Sequence, residues 1–208
     1  MTLSEPPADT QGQSASGPEE LVRLRERLLE LVSQKGYERR TEPFQLSSGQ
    51  WSNDYIDGKR ALADGKDLLL AAKCVIALAR ERGIEFDAVG GLTMGADHLS
   101  HAIAVAGGKR WFSVRKEAKG HGRQRLIEGA DLSASDRVVV LDDVVTTGKS
   151  VLQAIDAIDD VGATTVLAVT LVDRGRAARA AMEARGTPYE PLLTFQDLGI
   201  EQVGGDSG

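Results

Sequence analysis

The chain has 208 residues, 41% apolar and 27% charged, which suits one compact domain with an extension and excludes a chain too polar to bury a core. Its formal net charge of −6 supplies no global field for nucleic acid or an anionic membrane, so any anion site must be local. The single cysteine, Cys74 in a mostly apolar stretch, excludes an intramolecular disulfide and reads as a small core residue, with a reducing cytoplasm as the expected compartment.

Residues 1–18 carry three Pro, two Gly and three Ser with almost no large apolar groups, and they are expected to form a flexible tail ahead of a domain spanning 19–208. They lack the basic start and apolar core of a signal peptide, and no apolar run approaches the roughly 18 residues of a membrane span. Pro18-Glu19-Glu20 open a helix whose Leu21, Leu24, Leu28 and Val32 form one stripe, closed by Lys35-Gly36. Phe44 to Asp57 reads as a hairpin around a Ser-Gly turn, and 67–82 as a helix ended by Gly83.

From there strand and helix alternate. Strands are expected at 86–91, 109–114, 137–141, 164–172 and near 192–195, with helices at 96–106, 150–159 and 176–184. That order predicts an α/β fold with a mainly parallel central sheet flanked by helices. The long connection 115–136 shows no clear element, and such loops in compact α/β domains are usually functional.

The richest segment is VVVLDDVVTTGKS, Val138 to Ser150. A β-branched run delivers Asp142 and Asp143 to the carboxyl edge of a buried strand, and the next loop offers the N–H groups of Thr146 to Ser150 at a helix N-terminus. Carboxylates for hydroxyls or a metal, beside a phosphate cradle, point to a ribose phosphate. The GKS at 148–150 also suggests the end of a triphosphate P-loop, but that motif needs glycine at position 143, where this chain has Asp. A second cluster, RKEAKGHGRQR, sets Arg115, Lys116, Lys119, His121, Arg123 and Arg125 against Glu117 alone, next to glycines that permit a lid closing on a polyanion. His121 has no partner at zinc-ligand spacing, and His98 with His101 lacks a third ligand and reads as structural. Trp111 reads as a core or dimer residue, while Trp51 either covers the base pocket or packs the hood.

These motifs, with FQLSSGQWSNDYIDGKR (44–60), GGLTMGAD (90–97) and LIEG (126–129), resemble those of the orotate phosphoribosyltransferases, type I phosphoribosyltransferases of pyrimidine nucleotide synthesis, over roughly residues 20–200. The resemblance implies that fold, with a small N-terminal hood from about 19–60, and transfer of phosphoribose from 5-phosphoribosyl 1-diphosphate (PRPP) to orotate. It implies that Asp142 and Asp143 take the ribose hydroxyls, and that Val144, Val145, Thr146, Thr147, Gly148, Lys149 and Ser150 hold the 5-phosphate. Arg115, Lys116, Lys119 and His121 would fold over the diphosphate, with Lys119 catalytic beside the acid pair, in a homodimer with shared sites. Thr146, Arg174, Ser47, Ser48 and Gly49 would hold orotate, Arg174 through its carboxylate. Mg²⁺ is the implied cofactor, held through PRPP with no direct protein ligand, or through water on Asp142 or Asp143. Some members of the family carry a lysine where this chain has Ser47 and another near the GGLTMGAD turn, for which Lys59 or Lys73 are the candidate replacements. Lys149 either adds a phosphate contact or projects to solvent. The alternatives are transfer to another base, or a non-catalytic PRPP-sensing regulator, against which the intact acid pair and basic loop both speak.

Overall fold

A computed structural model describes residues 17–46, 48–117 and 126–203. Helix α1 (Gly17–Leu31) runs into a π-helical turn (Val32–Gly36), and strands β1 (Tyr37–Gln45) and β2 (Trp51–Ile56) form an antiparallel hairpin. The short helix α2 (Gly58–Ala61) and α3 (Gly65–Glu81) lead into the sheet region. There follow β3 (Ala88–Leu92), α4 (Asp97–Gly107), β4 (Arg110–Val114), β5 (Ile127–Gly129), β6 (Arg137–Val145), α5 (Lys149–Asp160), β7 (Thr164–Asp173), α6 (Ala177–Arg185) and β8 (Tyr189–Thr194). The α/β class expected from the alternating pattern is what the chain adopts.

The main sheet has the order β5-β4-β3-β6-β7-β8, parallel except for β5, which runs antiparallel along the β4 edge. Both faces of β6 are covered, which explains its unbroken apolar run. Val139 and Leu141 join the core under α1, α3 and α4, while Val138 and Val140 pack with α5 and α6 on the other side. Each flanking helix presents one stripe: Leu21, Leu24 and Leu28 on α1, and Val151, Ala154, Ile155 and Ile158 on α5. The chain leaves β3 toward β4 on one side and leaves β6 toward β7 on the other. The carboxyl ends of β3 and β6 therefore flank a switch point, where open α/β sheets leave a crevice.

Three details differ from the sequence pattern. Strand β6 continues through Val145, so Asp142 and Asp143 lie inside it, with Asp142 opposite Thr170 of β7. Ladder bonding to β7 carries the strand past the point where its apolar run stops. Strand β1 begins at Tyr37 rather than Phe44, with its register shifting between Arg39 and Phe44. The long 115–136 connection contains β5, whose three residues lie on a sheet edge and show no apolar alternation.

The β3 sequence AVGGL is buried throughout, and its glycines set the spacing beneath the crevice. A methyl group on Gly91 would run into the Leu141 carbonyl oxygen of β6, and one on Gly90 into that of Phe112 on β4. Gly91→Ala should therefore lower unfolding stability by about 1–3 kcal/mol, the usual cost of overpacking. Urea denaturation checks this, and an unchanged midpoint would contradict the close approach.

Candidate active site

Two adjacent carboxylates near the end of β6 define the floor of the crevice. Asp142 Oδ1 accepts the Asp143 N–H at 2.9 Å, and Asp143 Oδ1 accepts the Val144 N–H at 2.7 Å. Gly95, in the turn after β3, lies so close that a methyl there would run into Asp142 Oδ1. Lys59 Nζ donates to Asp143 Oδ2 at 2.6 Å. Burial first, and then the neighbouring Asp143 charge, push the Asp142 carboxyl up to about 7. For Lys59, burial acts downward, but the hydrogen bond and charge of Asp143 outweigh it and hold the ammonium above its usual range.

Local sequence explains how Lys59 arrives there. Asp57 caps α2 by accepting the Arg60 N–H at 2.9 Å, and a Cβ on Gly58 would stand 3.2 Å from Asp143 Cβ and 3.1 Å from Leu171 Cδ2. A bare glycine thus lets the α2 turn lie flat on β6. Lys73, the other candidate replacement, is an exposed residue of α3 and does not line the crevice.

An open groove of about 1130 Å³ runs outward from the acid pair past Lys59, Thr93, Gly95, Arg115 and Lys116. Asp97 braces one wall, accepting Thr93 Oγ1 at 2.6 Å and Ser113 Oγ at 2.8 Å, which ties the turn after β3 to β4. At the root of the basic loop, Arg115 Nε donates to Glu128 at 2.8 Å and the Arg115 N–H to the Leu126 carbonyl at 2.8 Å. The Lys116 carbonyl accepts Gln153 Nε2 at 3.0 Å. Lys119 and His121, with Arg123 and Arg125, lie outside the described residues, as does Ser47.

On the other side of the acids, Ser48 and the run 144–150 enclose a cavity of about 150 Å³. Gly148, at φ 74°, turns the chain into α5, and the N–H groups of residues 146–150 make no hydrogen bond with the described backbone. They are oriented donors at a helix N-terminus, suited to a phosphate. Lys149 is exposed in the first turn and lines the same cavity. Gly49, at φ 88°, makes the hairpin turn that brings Ser48 over this loop, and the Ser48 hydroxyl is buried without a described partner.

Arg174 follows β7 directly and is only 2% exposed. Its N–H donates to the Val145 carbonyl at 2.9 Å and its carbonyl accepts the Val203 N–H at 2.8 Å. Its Nη2 donates to Ser52 Oγ at 3.0 Å, while the buried Nε has no partner among the described residues. Burial pulls its pKa down, a cost that a neighbouring anion would offset. Ser52 is itself oriented by the Asp54 N–H at 3.0 Å, and Asp54 accepts Tyr37 Oη at 2.9 Å and Arg39 Nη1 at 3.0 Å. Behind Arg174, Asp173 accepts the Gly175 N–H at 3.0 Å and Tyr189 Oη at 2.9 Å.

The structure thus brings Asp142, Asp143, Ser48 and residues 144–150 together, with Arg174 anchored beside them and Arg115 and Lys116 along the groove. Sequence reasoning missed Ser52, Thr93, Asp97 and Ser113. All four lie within or beside motifs already recognised, but no spacing in the 44–60 motif marked the Ser52 hydroxyl as a support for Arg174. Trp111, expected as a core or dimer residue, is 41% exposed and packs edge-on against His101 at 4.5 Å. Trp51 is 67% exposed on β2. His98 and His101 line a shallow hollow with Leu69 and Val105, and no cluster of three metal-ligating side chains forms among the described residues.

Residues 88–184 match the phosphoribosyl transferase domain family. Over 159 residues the chain is 43% identical to the orotate phosphoribosyltransferase of Corynebacterium glutamicum, covering 74% of this chain and 84% of that one. Over 184 residues it is 39% identical to the orotate phosphoribosyltransferase of Aquifex aeolicus, covering 86% and 99%. It is also similar to the crystal structure of Mycobacterium tuberculosis orotate phosphoribosyltransferase in complex with 5-phospho-alpha-D-ribosyl 1-diphosphate, with a TM-score of 0.70, 37% identity and coverage of 85% and 99%.

Native Asp142 keeps its proton to about pH 7. An unfolded aspartate loses its proton near pH 4, so stability of the ligand-free protein falls as pH rises through that window. Asp142→Asn removes this penalty and should stabilise the ligand-free protein at pH 8, by on the order of 2 kcal/mol. It should also flatten the slope between about pH 4 and pH 7. Thermal denaturation against pH checks both, and a variant less stable than wild type at pH 8 would contradict the buried-acid reading.

Proposed function

The chain belongs to the orotate phosphoribosyltransferase family, and from that membership we propose how its crevice carries out the transfer. The reaction joins orotate to the phosphoribosyl group of PRPP, giving orotidine 5'-phosphate and diphosphate. The observation that carries the assignment of subsites is Arg174, a guanidinium 2% exposed whose Nε has no described partner. A buried cation with an open N–H suits a small planar carboxylate, which it can grip through two parallel hydrogen bonds.

In this reading Arg174 and Thr146, with Ser47, Ser48 and Gly49 of the hairpin hood, hold orotate. Asp142 and Asp143 accept the ribose hydroxyls, and the amides of 144–150, with Lys149 beside them, hold the 5-phosphate. As the bond from C1 to the diphosphate oxygen breaks, positive charge develops on the sugar and negative charge on the leaving group. Orotate N1 bonds to C1 and releases its proton. Asp143 lies beside the developing sugar cation, while Arg115, Lys116, Lys119 and His121 bear on the departing diphosphate. Holding both reactants in line supplies much of the acceleration, and closing the loop excludes water that would capture the sugar cation.

The donors present fit Mg²⁺, which keeps most of its waters and takes one or two carboxylates together with substrate phosphates. Asp142 and Asp143 offer two neighbouring carboxylates, and when bound the ion would offset charge on the leaving diphosphate. A homodimer with shared sites is supported by exposed Leu69, Met94, Val105 and Trp111, which ring His101 beside the groove. In this reading the enzyme serves pyrimidine (UMP) biosynthesis in the cytoplasm, and no helix among the described residues is long and apolar enough to cross a membrane.

Purified protein incubated with PRPP, Mg²⁺ and orotate should form orotidine 5'-phosphate and diphosphate, and lose turnover when the metal is chelated. Arg174→Ala should raise the orotate KM about 10- to 100-fold, the worth of one or two charge-assisted hydrogen bonds, with the PRPP KM near wild type. Equal losses for both substrates would remove Arg174 from the base subsite. Subunit sharing is checked by mixing inactive Lys119→Ala and Asp143→Asn proteins. Activity should reappear in the mixture, and its absence in heterodimers verified by mass would rule sharing out.

A further inference from the structure

Among the described residues three Lys or Arg side chains line the groove: Lys59, Arg115 and Lys116. Arg115 is tied to Glu128, and Lys116 is exposed at the root of the basic loop. Of these three, Lys59 is the one that touches the acid pair. Its ammonium carries three donors, of which one is on Asp143 Oδ2, and it has no other partner among the described residues. Its side chain is 49% exposed, so the remaining donors open toward the groove. The turn that presents it is fixed by the Asp57 cap and by Gly58 lying against β6, so this cation is set in place before ligand arrives.

The substrate makes a cation necessary at this point. Asp143 accepts a hydroxyl of the ribose, and the 1-diphosphate projects from the neighbouring carbon into the same groove. Without a positive charge between them, an ionised carboxylate would face a polyanion across a partly dehydrated gap. Lys59 stands where that charge is needed.

We propose that Lys59 is a further substrate-contacting residue, which keeps one hydrogen bond to Asp143 and gives another to the departing diphosphate of PRPP. It joins the group that holds the sugar to the group that leaves it. Its charge counts most as the leaving group gains negative charge, so it contributes to turnover as well as to binding. The inference rests on the phosphoribosyl-transfer reading of the crevice.

The test separates the two parts of the donor, by calorimetric titration of inorganic diphosphate and of ribose 5-phosphate into the whole protein with Mg²⁺ present. Lys59→Ala should weaken diphosphate binding about tenfold and raise the PRPP KM similarly, while changing ribose 5-phosphate affinity less than twofold. Lys59→Arg should recover most of the diphosphate affinity and the neutral Lys59→Met none, with circular dichroism showing all three folded. Undiminished diphosphate binding by Lys59→Ala would overturn the proposal. So would a parallel loss for ribose 5-phosphate, which would leave Lys59 acting only through Asp143, or an Arg variant no better than Met. Wild-type protein that makes no orotidine 5'-phosphate would sink the reaction reading instead, and the diphosphate titration would still judge Lys59.

Discussion

Two carboxylates next to each other in a strand buried on both faces are the constraint around which this crevice is arranged. Such a pair is costly, because burial and mutual repulsion both oppose ionisation, and the protein meets the cost unequally. Asp143 receives an ammonium from Lys59 and an N–H from Val144, so its charge is matched. Asp142, 7% exposed and accepting the Asp143 N–H, is pushed up to about 7 by burial and by its neighbour's charge. The neighbouring backbone is shaped to permit this packing: Gly95 presses against Asp142, Gly58 lets α2 lie on Asp143, and Gly91 lets β3 close on β6. At Gly91 and Gly95 a side chain would occupy space already taken, and at Gly58 it would crowd Asp143 and Leu171.

The same logic governs Arg174 on the opposite bank. A buried guanidinium is unfavourable unless its donors are used, and here Ser52 takes one while Nε stays open. The cost is accepted because neighbouring elements fix the residue from behind. Asp173 grips the Gly175 N–H and Tyr189, and Tyr189 bonds Thr170 at 2.9 Å within the core. Stability is spent there on holding an incomplete site in shape, a common feature of sites that bind charged ligands.

Legibility of the sequence followed burial. The apolar run of β6 and the stripe of α5 reflect elements covered on defined faces, so pattern alone placed them. Strand β5 escaped because an edge strand of three residues needs no alternation, and its pairing with β4 exists only in three dimensions. The acid pair was legible as chemistry but misplaced by a few positions, since β7 extends β6 through bonds that the sequence of β6 cannot reveal. Lys59 and Lys73 were indistinguishable as letters, and the fold separates them: one caps the crevice from α2, and the other faces solvent on α3. Ser52 was invisible for the same reason, because its role depends on a residue far along the chain.

The two halves of the crevice are not independent. The Arg174 N–H bonds the Val145 carbonyl, so the buried guanidinium is pinned to the residue that opens the loop before α5. A Cβ on Gly175 would stand 3.7 Å from the Thr146 carbonyl oxygen, which shows how closely the two loops run. Adjacent parallel strands β6 and β7 thus carry the acid pair with its following loop and Arg174 as one unit, with separation set by strand spacing. For a displacement that needs orotate N1 aligned with C1 of the ribose, that rigidity is itself catalytic, since small misplacements cost large factors in rate.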